Sequence, residues 1–344
     1  MSWQRVRGHD AQVESFRRAV RRGRLAHAYL FTGPGGVGKR LFAVELAKAL
    51  LCESAPPDLA RSPLEACDHC PACVQVEAGT HPDFFRAVRP EDKLEFPIDL
   101  MRQLCEAFSL KPARGRGKFV LLDDADDLNQ ESANCFLKTL EEPPPRSVLV
   151  LIGSTPDRQL PTIVSRCQVI RFAPLPPATV ADLLGTNGVE DEVLRQRLVS
   201  LGGGSPGFAL ALADPALLEF RRRLLDAVAK PKFDSVGLAK EWAGFAESAG
   251  KESAAQRGRA KLLLRLLIDF LTDVLAVGQG GEPRRSEPAD RPALEALAGR
   301  ARPEVLMAML ERCLEADEQI DRRVQLVLVL EGLLDAAAQK IGLV

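Results

Sequence analysis

HAYLFTGPGGVGKR, residues 27–40, joins three signals in one stretch. AYLFT (28–32) is a short apolar strand, GPGGVGK (33–39) a glycine loop, and RLFAVELAKALL (40–51) the start of a helix. A phosphate loop needs glycines so that backbone amides converge on phosphate oxygens, then a lysine for the β- and γ-phosphates, then Ser or Thr to ligate Mg²⁺. Gly33, Pro34, Gly35, Gly36, Val37, Gly38 and Lys39 meet the first two needs, but Arg40 stands where the hydroxyl belongs. A guanidinium cannot ligate a metal and repels one. The stretch therefore reads as a nucleotide loop that has lost productive Mg–ATP hydrolysis.

Outward from the loop, KFVLLDDAD (118–126) is a second buried strand ending in carboxylates. Asp123 sits where such a strand holds the Mg²⁺ shell, and Asp124 where a Glu usually orients the attacking water. Asp is shorter than Glu by one carbon–carbon bond, ~1.5 Å, and about 1 Å of misplacement costs on the order of 100-fold in rate. SVLVLIGST (147–155) is a third strand, and TIVSRCQVIRF (162–172) carries a turn and a fourth. A helical segment at 10–22 precedes the strands and others at 98–108 and 132–144 lie between them, the last stopped by prolines. Alternation of this kind predicts an α/β core, a parallel sheet flanked by helices, over 1–174. After Pro174–Pro177 a small helical unit is expected over 175–213, with the glycine cluster GGGSPG (202–207). An all-α domain over 214–344 follows, with helices at 215–229, 236–247, 255–277, 290–299, 303–316 and 318–340.

Four of the eight cysteines cluster as C-x14-C-x2-C-x2-C, at Cys52, Cys67, Cys70 and Cys73. Four thiolates suit tetrahedral Zn²⁺. His69 and His81 are alternative fourth ligands, and a redox CxxC or three incidental thiols are the competing readings. Residues 52–80 have too few apolar side chains to fold alone, which favours a structural, closed metal site.

The 344 residues carry 46 Lys+Arg against 47 Asp+Glu, a formal charge of −1. That balance argues against a freestanding protein gripping nucleic acid through a basic footprint. The basic stretches RRAVRRGR (17–24) and KPARGRGK (111–118) read as solvated faces, with a zinc-dependent nucleic-acid module as the competing interpretation. From the polar N-terminus no signal peptide is expected. The leucine-rich run 261–277 is interrupted every fourth residue by Lys261, Arg265, Asp269 and Asp273. It is therefore expected to be an amphipathic helix rather than a membrane span. A cytoplasmic protein with no membrane partner is expected.

Together HAYLFTGPGGVGK, the clustered cysteines, THPDF (80–84), KTLEEPP (138–144) and SRC (165–167) resemble the bacterial DNA polymerase III clamp-loader subunits, AAA+ proteins of the gamma/tau and delta prime types. GSPGFAL (204–210) and the altered glycine loop resemble the delta prime type more closely. The resemblance implies an AAA+ core with an inserted zinc module (about 52–80), a helical lid and a helical collar. It places the Walker A loop at Gly33–Lys39, the Walker B region at Asp123–Asp126 and sensor 1 near Ser154 and Thr155. Its zinc ligands map onto Cys52, Cys67, Cys70 and Cys73, with a longer first spacing, and its arginine finger onto Arg166. The sensor 2 arginine position is Gly207. Arg40, Asp124 and Gly207 each remove a part needed to hydrolyse ATP in cis, while Arg166 keeps a part used in trans. The implied protein has no ATPase activity of its own, structural Zn²⁺, ATP or ADP held weakly or not at all, and no Mg²⁺ in cis. It would be a stator working with gamma/tau and delta subunits, and through them with the beta sliding clamp and primer–template DNA, in a DNA-directed DNA polymerase (nucleotidyltransferase) holoenzyme during DNA replication. An active gamma/tau-type ATPase is the alternative.

Overall fold

The computed structural model describes residues 2–90 and 93–342, which divide into two compact units at Thr179–Val180. In the first, the order is α1 (Asp10–Arg21), β1 (Ala28–Thr32), α2 (Lys39–Leu51), α3 (Pro71–Glu77), β2 (Phe84–Ala87), α4 (Ile98–Ser109), β3 (Phe119–Leu122), α5 (Gln130–Glu141), β4 (Val148–Ile152), α6 (Pro161–Val164) and β5 (Gln168–Arg171). The strands form one sheet in the order β2-β3-β4-β1-β5, every pair parallel. Leu30 lies opposite Leu151 on one side and Val169 on the other.

Successive strand residues point to opposite faces, so β1 feeds two cores. Tyr29 and Phe31 join Phe16, Phe42 and Phe172 on one face, while Ala28 and Leu30 join Val120, Leu122, Phe108 and Phe136 on the other. Burial on both faces explains why β1, β3 and β4 read as unbroken apolar runs. The edge strand β2, FFRA, was not expected from sequence. It has only four residues, pairs with β3 alone, and lacks such a run. Gly117, which enters β3, has φ 125° and a Cβ there would lie 2.0 Å from the Arg146 carbonyl oxygen, so only glycine fits.

The stretch 111–118 is a solvated face only in part: Lys111, Ala113, Arg114 and Gly115 are exposed, while Arg116 is half-buried and Gly117 and Lys118 are buried. Arg116 donates to the carbonyls of Glu53 (2.9 Å), Ala55 (2.7 Å) and Pro56 (3.3 Å), Arg114 pairs with Glu53, and buried Lys118 bonds Ala107 O. Arg114 and Arg116 fasten the entry to β3 onto the cysteine-bearing loop, and Lys118 ties it to α4. In the other basic stretch, Arg17 pairs with Glu65 at 3.0 Å and Arg21 with Glu14 at 2.6 Å.

Downstream come α7 (Pro177–Thr186), α8 (Glu192–Gly202), α9 (Pro206–Ala211), α10 (Pro215–Val228), α11 (Ser235–Glu247), α12 (Ser253–Gly278), α13 (Arg291–Ala298), α14 (Pro303–Asp321) and α15 (Leu326–Gly342). The break expected near residue 317 falls at 322–325 instead: α14 continues through Asp321 because Ala316 and Ile320 extend its buried face. No helix among the described residues is long and apolar enough to cross a membrane. The charges interrupting α12 hold neighbouring segments. Asp273 accepts from the amides of Arg284 (2.9 Å), Arg285 (2.9 Å) and Ser286 (2.7 Å), and Lys261 reaches Asp321 at 2.7 Å.

Within this unit Arg221, buried on α10, donates to Asp290 (2.6 and 3.0 Å) and to Glu287 (3.2 Å), which also accepts from Arg197 of α8 (3.0 Å). Removing one partner of a buried ion cluster strands the others' charge, at a cost of about 3–5 kcal/mol. Arg221→Ala is therefore expected to destabilise the chain by about that amount, read as a lowered urea midpoint at unchanged slope.

Candidate functional site

The parallel sheet brings the ends of β1, β3 and β4 to one edge. The loop after β1 is tied there by Gly33 N to Ser154 O (2.9 Å), and Gly153 N bonds Phe31 O (3.0 Å). Gly33 has φ 141°, and a Cβ on it would lie 2.1 Å from the Phe172 carbonyl oxygen. Gly36 (φ 76°) and Gly38 (φ 104°) also take left-handed conformations, the latter capping α2. Buried His9, which the sequence reading passed over, hydrogen-bonds Val37 O through Nε2 (2.7 Å) and sets its ring edge on Phe172, 4.9 Å between centroids. Nothing in the residue's local context marks this role, since it depends on β5 bringing Phe172 beneath the loop.

Lys39 and Arg40 follow. The Lys39 ammonium is buried and donates to Pro34 O (2.8 Å) and Gly33 O. Burial pulls its pKa down, opposed by the carboxylates of Asp126, Asp123 and Asp124. Arg40 Nε donates to Oδ2 of buried Asp123, and the Arg86 guanidinium of β2 lies 3.7 Å from the same oxygen. A divalent ion would require Asp123 as a ligand and a hydroxyl where Arg40 stands, so the residues present do not fit one. Asp124 is exposed, in a left-handed conformation (φ 56°). Asp126 accepts from Ser154 N (2.8 Å) and the Gln159 amide. Thr155 is exposed, at the head of a short 3-10 turn that its side chain does not cap. Gly207 lies in α9, in the other unit.

Arg166 follows α6. Its guanidinium donates to Glu141 (Nε to Oε1, 2.9 Å), to Thr162 O (3.0 Å) and to Ser165 Oγ (3.3 Å), none of which belongs to the glycine loop or β3. Both side chains of the Arg166–Glu141 pair are partly exposed, at 33% and 49%. Its neighbour Cys167 packs against the core, and burial pushes that thiol up to about 12.

The four expected cysteines converge. Sγ of Cys52, Cys67, Cys70 and Cys73 all lie within 4.8 Å of one another, with Cys52 and Cys70 3.9 Å apart. A tetrahedron with Zn–S of about 2.3 Å has edges of about 3.8 Å, so the donors fit zinc. His69 is exposed and bonds Cys67 O (2.6 Å), while His81 Nδ1 accepts from Asp83 N (3.0 Å). Neither histidine belongs to the sulfur cluster. Cys67 loses some acidity to desolvation, yet hydrogen bonds from Ser54 and from the amides of His69 and Cys70 bring it down to about 5. Burial pushes Cys52 and Cys73 up. A cation of charge +2 reverses that second effect, since bound thiols are deprotonated. Around the sulfurs the module has only a small apolar cluster with Ala55, Ala66 and Ala72. It is roped to the sheet unit by Trp3 Nε1 to Leu64 O (2.7 Å), Lys48 to Asp68 (2.7 Å) and Arg5 to Glu77 (2.7 Å).

A glycine loop after the central strand, an aspartate at the end of a neighbouring one and a four-cysteine insert define a P-loop α/β protein whose metal position is filled by arginine. A family profile described as "DNA polymerase III, delta subunit" matches residues 8–176. The DNA polymerase III subunit delta prime of Pseudomonas aeruginosa is 38% identical over 227 residues, covering 64% of this chain and 67% of that protein. The Bacillus subtilis subunit of the same name is 36% identical over 177 residues, 52% and 51% of the two chains. A Mycobacterium tuberculosis gamma/tau subunit is 30% identical over 221 residues, 63% of this chain and 37% of that one. The chain belongs to the DNA polymerase III delta prime subunit family. The delta prime alignments span between half and two thirds of those relatives' own lengths.

The cysteine geometry predicts about one zinc per chain by metal analysis. Cys70→Ser is expected to lose that metal and to open residues 52–80 to proteolysis while the sheet unit stays folded. Full metal content in the variant would remove Cys70 from the ligand set.

Proposed function

We propose that this chain is a clamp-loader subunit of a DNA polymerase III holoenzyme, a non-hydrolysing stator that completes a neighbour's ATP site with Arg166. The observation that carries the reading is Arg40 bonded to Asp123, which leaves no place for the Mg²⁺ that cis hydrolysis needs. Asp124, in place of the longer Glu, and Gly207, in place of a sensor arginine, support the same conclusion. Zinc held by Cys52, Cys67, Cys70 and Cys73 would be structural, since four protein ligands leave no open coordination position.

Arg166 is suited to acting in trans. Its present partner is a partly exposed carboxylate, and such pairs are worth only about 0–1 kcal/mol, so releasing Glu141 for a phosphate costs little. The neighbour would be a gamma/tau subunit. With delta it would form the complex that opens the beta clamp and loads it on primer–template DNA during replication, assembled through the helical unit from α10 onward. An arginine finger is worth about 10³–10⁵ in rate in related phosphoryl-transfer enzymes.

The test is ATP turnover by the chain alone and in complex with gamma/tau and delta, comparing wild type with Arg166→Ala. Expected are no turnover by the isolated chain, unaltered assembly of the variant complex on gel filtration, and a loss of about 10³-fold or more at the adjacent site. Robust turnover by the isolated chain would instead establish an active gamma/tau-type motor. Unchanged complex turnover in the variant would remove the trans role.

A further inference from the structure

The edge of the sheet opposite the glycine loop carries a second concavity. Strands β1, β3 and β4 begin there and helices α1, α2 and α5 end there, around a cavity of about 510 Å³. Specific ligand sites have this size. The floor is buried core, Phe119, Val148, Leu50 and Leu51. Pro57, Pro143, Pro144 and Pro145, exposed or half-buried, form the walls, and proline side chains have no rotamer freedom to lose when a ligand enters. Ser147 also lines the cavity, and its buried hydroxyl has no hydrogen-bond partner among the described residues. A polar group in that state costs free energy until a ligand completes it.

The rim is cationic. Arg116 and Arg146 both line it, brought together where Gly117 packs on the Arg146 carbonyl. Arg116 is held by the main-chain carbonyls of Glu53, Ala55 and Pro56, none of which cancels its charge. The Arg146 side chain is exposed and unpaired among the described residues. Its backbone is left-handed (φ 60°), a strained conformation for a residue with a side chain. Arg22 and Arg24, whose side chains are likewise exposed and unpaired, flank Gly23 on the lining and extend the positive charge beyond the cavity. Asp58, the carboxylate on the lining, is engaged with Arg61 at 3.4 Å and with Ala60 N at 3.0 Å.

We infer that this cavity docks an acidic peptide segment of a partner protein, with one aromatic side chain seated between the prolines and flanking carboxylates on the arginines. A flat ring suits rigid proline walls, and a guanidinium fork binds a carboxylate through two parallel hydrogen bonds. Charge that runs past the cavity favours a chain over a small molecule confined within it. Nucleic acid fits less well. Single strands stack their bases on accessible aromatic side chains, whereas on this lining Phe119 is buried and the His27 ring is tied to Leu140 O (2.9 Å).

The test is fluorescence anisotropy of labelled short peptides, each with several aspartates and one phenylalanine, tyrosine or tryptophan, titrated with the full zinc-loaded chain. Expected is saturable binding that weakens as salt rises. Alanine in place of the aromatic residue should cost about 10–100-fold, the worth of one buried large side chain. Arg146→Asn, which suits the left-handed backbone, and Arg24→Gln should each lose about 10-fold. Both positions are exposed, and unchanged thermal melts show that the variants are folded. Bound peptide should slow hydrogen exchange at residues 20–26 and 143–148. Absence of binding by every peptide would overturn the inference, as would protection confined to other segments. Affinity indifferent to the aromatic residue or to Arg146→Asn would do the same, and tighter capture of a single-stranded oligonucleotide at these residues would assign the surface to nucleic acid instead. Each of these failures leaves the readings of Arg40 and Arg166 standing, because neither residue lines the cavity.

Discussion

Parallel pairing of β1 with both β4 and β5 is the constraint on which the sheet unit depends. Parallel strands need crossovers, and the helices that make them cover both faces of the sheet. All five strands then end on one edge. Gly33, Asp123, Ser154 and Phe172 come from segments far apart in the chain, yet this topology alone delivers them to neighbouring positions. The close approach of Gly33 to the Phe172 carbonyl follows from it, as does the contact of His9 with both Val37 and Phe172.

At that edge one substitution changes the chemistry. Serine or threonine after the loop lysine would share a metal with Asp123, whereas arginine neutralises Asp123 directly. The pairing sets one positive charge against Asp123 but supplies none of a divalent ion's Lewis acidity. Arg166 belongs to a different part of the surface, where it bonds a partly exposed carboxylate, Thr162 O and Ser165 Oγ.

In the two accessory regions polar contacts add to apolar packing. The cysteine module has little core of its own and depends on its sulfur cluster and on ion pairs to α2 and the N-terminal segment. The helical unit buries charge deliberately at its loops. Arg221, Glu287 and Asp290 form one cluster, and Asp273 gathers three successive amides. Such clusters fix one arrangement of a long loop that apolar packing would leave undirected.

Local sequence by itself determined the central strands, the glycine loop, the close cysteines Cys67, Cys70 and Cys73, and the loss of the metal hydroxyl. Each is carried by residue types whose requirement is local: glycine for left-handed backbone, thiolate for zinc, unbroken apolar runs for strands buried on both faces. Tertiary structure alone decided the rest. The edge strand Phe84–Ala87 exists because β3 offers it hydrogen bonds, and its four residues carry too little periodicity to announce it. Arg114, Arg116 and Lys118 look like a solvated patch until folding brings carbonyls and a carboxylate from distant segments to them. Whether Cys52 joins the other three, and whether Arg40 merely lacks a hydroxyl or takes the metal's place on Asp123, are likewise questions of distance between remote residues, and sequence spacing does not encode those distances.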